Sequence, residues 1–121
     1  MKKLIAFIAL SMFMATAVNA QSDVKWEKQD DQIKMTRFFA GTDQVQEIGY
    51  FKNGKSHGQW TEFTSNGDIR IEATYINGQK EGTWFVWADD RTKLYECVYE
   101  LNRMVEHREW SLDQRNLHVE K

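Results

Sequence analysis

The chain has 121 residues, of which 16 are Lys or Arg, 18 are Asp or Glu and three are His, so its formal net charge is −2. This mild acidity argues against a nucleic-acid partner, because nucleic-acid binders need a clustered basic face. The single cysteine, Cys97, excludes an intramolecular disulfide, and the length allows one small domain with a thin core.

The first twenty residues have the features of a cleaved secretory signal peptide. Two lysines precede an almost wholly apolar stretch at residues 4–18, and small residues ending in Ala20 follow it. The apolar stretch is too short for a comfortable membrane span. We therefore expect cleavage after Ala20 and a periplasmic or secreted mature protein. Its net charge is −4, because cleavage removes two lysines and no acidic residue.

The next segment, residues 21–31, is polar and acidic, and we expect a lead-in that Trp26 anchors. Residues 32–121 are predicted to form one β-hairpin repeat domain. The chain contains no proline, and helical periodicity is absent after Ala20. From Ile69 to Tyr75, apolar and polar residues alternate as they do in a half-buried strand. These signals predict an all-β fold.

One element occurs twice in the chain, 24 residues apart. Residues 53–60 read Asn-Gly-Lys-Ser-His-Gly-Gln-Trp, and residues 77–84 read Asn-Gly-Gln-Lys-Glu-Gly-Thr-Trp. A fixed period of this length is typical of stacked supersecondary units, none of which buries its apolar face alone. We therefore predict an antiparallel meander of stacked β-hairpin repeats.

Turn signals separate the predicted strands. Asn-Gly pairs tolerate the positive φ angles of tight hairpins, and Asp89-Asp90 stands where the next such pair is expected. The glycine two residues before each repeated tryptophan is expected to have backbone torsions that other residues adopt at a cost, or to leave room for a ring. The predicted structural turn residues are Asn53, Gly54, Gly58, Asn66, Gly67, Asn77, Gly78 and Gly82.

The repeat becomes irregular toward the C-terminus. Residues 99–110 keep the aromatic residues, but alignment by tryptophan places Trp110 with Trp84 and requires two inserted residues. In this alignment Asn102-Arg103 occupies the position that Asn-Gly occupies in the two earlier units. Atypical terminal units are expected in a stacked array, because its outer strands meet water.

The stretch from Tyr50 to Phe63, followed by Ser65-Asn66-Gly67, resembles a MORN-repeat variant, in the short form found in bacterial YwqK-type antitoxin proteins. The family pattern runs aromatic, x, Asn-Gly-Lys, two residues, Gly-x-Trp, two residues, aromatic, then Asn-Gly. Residues 49–67 and 75–87 match it well, and residues 99–110 match it poorly. The resemblance implies a twisted antiparallel hairpin array that contacts proteins or, for some MORN proteins, membranes.

Patterns that would indicate catalysis or metal binding are scarce. Alignment by tryptophan puts His57, Glu81 and His107 at equivalent positions, which is either a column of divalent-metal ligands or a set of solvated turn residues. Cys97 shares its repeat position with a glycine and an alanine, which favours a packing role. The chain lacks a phosphate-binding loop before a helix and a nucleophile elbow. We predict no enzyme, no cofactor and no metal site.

Repeated aromatic residues are the strongest chemical feature of the sequence. They are expected to form most of the core, but a thin array leaves one or two rings exposed. The members of each repeated pair are three residues apart, so either a bulge lies between them or both sheet faces carry aromatic rings. The candidate interaction surface comprises Trp60, Phe63, Trp84, Trp87 and Trp110.

The sequence therefore predicts an exported, non-enzymatic β-repeat protein that acts as a protein-interaction module. Two alternatives are a peripheral lipid-binding module and an antitoxin-like inhibitor of a partner protein. Lysines and acidic residues are mixed in the repeat turns, which disfavours an anionic membrane. An enzyme such as a nucleotidyltransferase is the least favoured hypothesis.

Overall fold

The computed structural model describes residues 23–113 and 116–120, so the expected signal peptide lies outside the described residues. Within these ranges the chain forms eleven antiparallel strands in one sheet and no helix. This confirms the all-β meander. The strands are β1 (Val24–Gln29), β2 (Gln32–Phe38), β3 (Val45–Lys52), β4 (Lys55–Ser56), β5 (Gly58–Phe63), β6 (Ile69–Ile76), β7 (Gln79–Lys80), β8 (Gly82–Trp87), β9 (Lys93–Glu100), β10 (Arg103–Asp113) and β11 (Asn116–Glu120).

The order of strands across the sheet follows their order in the chain. Neighbours run β1-β2-β3-β5-β6-β8-β9-β10-β11, while the two-residue strands β4 and β7 pair with β3 and β6. The segment 21–31, expected as a lead-in, contributes β1, which pairs with β2 over six residues. Within the described residues, β1 and β11 are the two edge strands of the sheet. The strands therefore form their backbone hydrogen bonds with strands that are close to them in the chain.

Tight two-residue turns recur at a strict spacing of 24 residues. Asn53-Gly54 and Asn77-Gly78 have positive φ at both positions, 52° and 79° in the first and 52° and 83° in the second. These are the torsions that a hairpin turn of this kind requires. The third turn is Leu101-Asn102, with φ of 50° and 72°. The sequence alignment had placed it on Asn102-Arg103, which is wrong by one residue because Arg103 already pairs with Glu100.

The longer turns at the other end of the hairpins also need a residue with positive φ. Gly67 has a φ of 90° and follows Asn66. The turn is closed by the bond from the Thr64 N–H to the Asp68 backbone oxygen. One unit later Arg91, at 63°, takes the place of that glycine. The predicted Asp89-Asp90 turn is found at those residues, closed by the bond from the Arg91 N–H to the Ala88 oxygen, and the positive φ falls on the arginine that follows.

Wide bulges connect the tight turns to the following strands. In the second unit, pairing passes from Tyr75–Lys80 to Glu72–Phe85, so two residues of β6 face four residues of the partner segment. Gly82 lies in this bulge with a φ of 75°, and Gly58 in the first unit has a φ of 105°. The expectation of demanding torsions at these glycines is confirmed. Space is not the reason, because a Cβ on Gly82 would meet no atom within 4 Å.

The sheet is a single layer, so its two faces share the aromatic residues. Trp60 and Phe63 point to opposite faces because β5 alternates without an extra residue, and the same holds for Trp84 and Trp87 in β8. Both faces therefore carry aromatic rings. A bulge does lie between Trp60 and Phe63, but its extra residue, Arg70, belongs to β6, and none lies between Trp84 and Trp87. Among residues 23–111, the buried side chains are Met35 and Ala73, at 2% and 4% exposure, and Thr36.

Candidate interaction face

Six aromatic rings form a continuous line across one face of the sheet, which we call the ladder face. Successive ring centroids lie 5.2–5.9 Å apart, mostly in tilted or edge-to-face arrangements. Aromatic pairs prefer these geometries, and each pair contributes about 0.5–1.5 kcal/mol beyond its buried area. The line therefore stabilises the sheet across its strands. Its members, in order, are Trp26, Phe51, Trp60, Tyr75, Trp84 and Tyr99.

The two repeated tryptophans of the ladder face are fixed by equivalent contacts. Trp60 Nε1 donates to the backbone oxygen of Tyr50 at 3.2 Å, and Trp84 Nε1 donates to that of Thr74 at 3.1 Å. The Trp60 ring covers Gly49 so closely that a Cβ there would collide with the indole. Gly49 is thus required by the close approach of the Trp60 ring, and both indoles are fixed at their edges by a bond to a backbone oxygen.

A lysine covers the C-terminal end of the ladder. The Lys80 ammonium lies 5.1 Å from the centroid of the Trp84 ring and 5.0 Å from that of Tyr99. A cation in this position is attracted by the negative faces of the rings. Lys80 therefore shields the two rings from water while its charge stays at the surface.

Exposure on the ladder face is greatest toward the two ends of the line of rings. Trp26 is 58% exposed near the N-terminal edge. At the other end, Tyr95 is 37% and Met104 45% exposed. The rings between them are half-buried against one another. The ladder face is consequently an apolar strip with accessible groups at both ends.

Two ion pairs flank the ladder on the same face. Arg37 lies 3.7 Å from Glu47, Arg70 lies 3.5 Å from Glu62, and the two glutamates are direct cross-strand neighbours. Burial raises the pKa of Glu47, Arg37 opposes this, and the nearby Glu62 adds to it. The pKa of Tyr75 is also raised, by burial and then by the charge of Glu47. The carboxylate of Glu47 is therefore ionised at a cost in the folded chain.

The predicted candidate residues divide between the two faces. Trp60 and Trp84 belong to the ladder face, while Phe63, Trp87 and Trp110 lie on the opposite face. There Arg91 stacks over Trp87 at 5.4 Å and donates to the backbone oxygen of Ile69, and the Trp110 indole donates to Glu96 at 3.3 Å. The five residues do not form one surface.

The third repeat unit differs from the earlier two in the position of its tryptophan. Phe85 pairs with Glu72, and its counterpart in the third unit is Arg108, which pairs with Glu96. Trp84 directly precedes Phe85, and His107 directly precedes Arg108. His107 therefore occupies the repeat position that Trp84 occupies in the second unit and Trp60 in the first. Trp110 pairs with Leu94 and is equivalent to Trp87, not to Trp84.

The length of the bulge explains this shift. In the third unit, pairing passes from Tyr99–Met104 to Glu96–Arg108, so three residues stand where the second unit has four. The inferred insertion of two residues is wrong, because the unit is one residue shorter. It lacks a counterpart of Gly82, and no indole covers the strand before it.

An open groove of about 630 Å³ lies at this position on the ladder face. Cys97 and His107 are direct cross-strand neighbours at its base, and Tyr95 and Met104 contribute apolar walls. Sequence analysis did not find this groove. The column of small residues at 49, 73 and 97, combined with the correct register, was the signal that could have found it.

Cys97 has the environment of a packing residue. It is half-buried opposite Trp84, and burial, followed by the charge of Glu96, raises the pKa of its thiol. A raised pKa keeps the thiol protonated and poorly nucleophilic.

The expected column of His57, Glu81 and His107 is not brought together. His57 Nδ1 accepts the backbone N–H of Asn77 at 3.2 Å, and Glu81 Oε2 accepts that of Leu101 at 3.0 Å. Both are half-buried, so the expectation of solvated turn residues is wrong for them. His107 instead lies in β10. In the described part of the chain no cluster of three or more His, Cys, Asp or Glu residues is placed to hold a metal ion.

Comparison with known proteins found no match to a family model, to a curated protein or to a solved structure. Across residues 23–113 and 116–120 there is no helix with the length and apolar character needed to cross a membrane.

Proposed function

We propose that the chain is an exported, non-enzymatic protein-interaction module that binds its partner through the ladder face. The observation that carries this proposal is the continuous line of six rings on a sheet with no second layer over residues 23–111. Aromatic residues dominate the binding energy of protein interfaces, and a contiguous apolar strip at a surface is typical of a contact site. The export and the MORN-like character of the module belong to the same proposal and rest on the sequence.

The geometry favours a protein partner over an anionic membrane. The charges flanking the rings alternate in sign, since Arg37 and Arg70 pair with two glutamates and Lys93 pairs with Glu109 at 3.3 Å. A lipid surface gains little from such a mixed arrangement, because attraction to anionic headgroups requires several unpaired basic residues. A protein surface can complement both signs.

The experiment is a pull-down from envelope extract with the tagged mature chain, residues 21–121. Trp26 is the best probe because its ring is exposed and touches one other ladder ring, Phe51. Trp26→Ala should reduce recovery of a specific partner about tenfold or more, as loss of an aromatic residue that carries much of an interface's binding energy does. Ile76→Ala is the matched control, since Ile76 is an exposed apolar residue outside the ladder.

Both variants must first retain the strand spectrum of the wild-type chain by circular dichroism. Equal recovery of the partner by Trp26→Ala and wild type would contradict the use of the ladder face. Binding to liposomes at low salt, in place of protein recovery, would favour the lipid-binding alternative.

A further inference from the structure

The groove above Cys97 corresponds to the site that an indole fills in each earlier repeat. In the first unit the Trp60 ring covers Gly49, and in the second Trp84 lies between Tyr75 and Tyr99. In the third unit the equivalent position is His107, and the space beside it is an open groove. The line of rings therefore stops at Tyr99 with one aromatic position unfilled.

We propose that this groove binds an aromatic side chain, an indole in the first instance, that a protein partner inserts as the next ring of the ladder. This rests on the proposed function and names the feature of the partner that the module recognises. The volume of about 630 Å³ is larger than one ring requires, so the flanking residues of the inserted segment also fit.

The walls of the groove match this occupant. Tyr95 and Met104 are exposed apolar groups on either side, and methionine sulfur and aromatic rings attract one another. Cys97 at the base is compact, as Gly49 and Ala73 are at the equivalent positions, and a ring can approach the strand closely there. The groove thus repeats the small floor over which the earlier indole packs.

The charged groups around the groove are paired with one another. Two carboxylates, Glu106 and Glu109, line the groove with one guanidinium, that of Arg108. Arg108 is shared between Glu106 at 2.8 Å and Glu96 at 3.9 Å. Glu109 in turn lies 3.3 Å from Lys93, so each carboxylate that lines the groove has a basic partner, and the inserted ring, not charge, carries the recognition.

The test uses three acetylated and amidated tripeptides, Lys-Trp-Lys, Lys-Ala-Lys and Glu-Trp-Glu, titrated into the ¹⁵N-labelled mature chain. Lys-Trp-Lys should shift amide resonances of β9 and β10 with a dissociation constant of about 1 mM or tighter. Lys-Ala-Lys should cause no such shifts, because it lacks the ring. Glu-Trp-Glu should bind within about fivefold of Lys-Trp-Lys, because the charges that line the groove are already paired and the ring carries the contact.

The variant His107→Trp should fill the groove within the chain, as the earlier repeats do, and weaken Lys-Trp-Lys binding about tenfold. The matched control is Gln79→Trp, which adds a tryptophan at an exposed strand position away from the groove. Met104→Lys, which removes an apolar wall and adds a repelling charge, is a second variant in case His107→Trp alters the fold.

Absence of localised shifts, or equal binding by wild type, His107→Trp and Met104→Lys, would overturn the proposal. The test is separable from the proposed function. If a native partner is lost with Trp26→Ala but is retained equally by His107→Trp and Met104→Lys, the interaction module stands and the groove assignment fails.

Discussion

The imidazole of His57 accepts the backbone N–H of Asn77, which belongs to the tight turn of the next hairpin. Glu81 accepts the N–H of Leu101 one unit later. Neighbouring backbone bonds reinforce each link, from Gly78 to Ser56 at 2.8 Å in one case. The side chain at this repeat position therefore fastens each tight turn to the unit before it.

Replacing His57 with alanine should lower the free energy of unfolding by about 0.5–1.5 kcal/mol, because the Asn77 N–H loses its partner. His57→Glu should retain most of the stability, since glutamate performs the same task at position 81. Chemical denaturation of the mature chain measures both. A His57→Ala variant as stable as wild type would show that water replaces the bond without cost.

Gly49→Ala should destabilise the fold by about 1–3 kcal/mol through overpacking, because the new Cβ collides with the Trp60 indole. The cost should shrink when Trp60 is also replaced by alanine, even though Trp60→Ala is itself damaging. A double-mutant cycle by denaturation isolates this coupling. Additive effects of the two substitutions would mean that the cost of Gly49→Ala does not come from its collision with the Trp60 ring.

The third tight turn should become more stable when its leucine is replaced by the asparagine that the first two turns have at the same position. Leu101 is 71% exposed and holds a φ of 50°, which costs a leucine more than an asparagine. Leu101→Asn should raise the free energy of unfolding by about 1 kcal/mol, while Asn102 keeps the bond that its Oδ1 accepts from the Lys80 N–H at 3.0 Å. The reverse change in the second unit, Asn77→Leu, should lower it by a similar amount, because Asn77 holds a φ of 52°. Opposite signs in the two turns are the decisive result.

Glu47 should make the fold more stable in mild acid than at neutral pH. Burial raises its pKa above the ordinary value of 4.5, so the folded chain holds this proton more tightly than the unfolded chain. That stability is fully present below the unfolded pKa and is lost as the pH rises through the folded value. Glu47→Gln should therefore be more stable than wild type at pH 7, by up to about 1 kcal/mol given partial exposure. Below pH 4 the advantage should disappear.

Denaturation midpoints at several pH values test this difference directly. A Glu47→Gln variant that is less stable than wild type at pH 7 would show that the ion pair with Arg37 outweighs the burial of the carboxylate.

The first two repeat units could be predicted closely from sequence because their signals are local. Asn-Gly requires a tight turn, and Gly82 lies two residues before Trp84 in a bulge whose torsions only glycine adopts easily. The third unit could not be predicted in the same way. There Trp110 is a tryptophan like Trp84, but it pairs with Leu94. Equivalent positions are determined by the pairing between strands and not by residue type.

The candidate site shows the same limit. The repeated aromatic residues were evident, but alternation within β5 and β8 divides them between faces, and strand register places Trp26 and Tyr99 on the ladder. The groove above Cys97 depends on a missing residue in one bulge. A single deletion has no composition signal, so it becomes visible only when the strands are paired.

The order of strands across the sheet has a consequence for how the chain reaches its native state. Because every strand pairs with neighbours along the chain, closing one hairpin requires only a short loop, and the next hairpin adds at the newly formed edge. Folding can start at either Asn-Gly turn and spread in both directions, as in linear repeat arrays. We expect rapid refolding for a β protein, with amide exchange fastest at β1 and slowest in β5, β6 and β8.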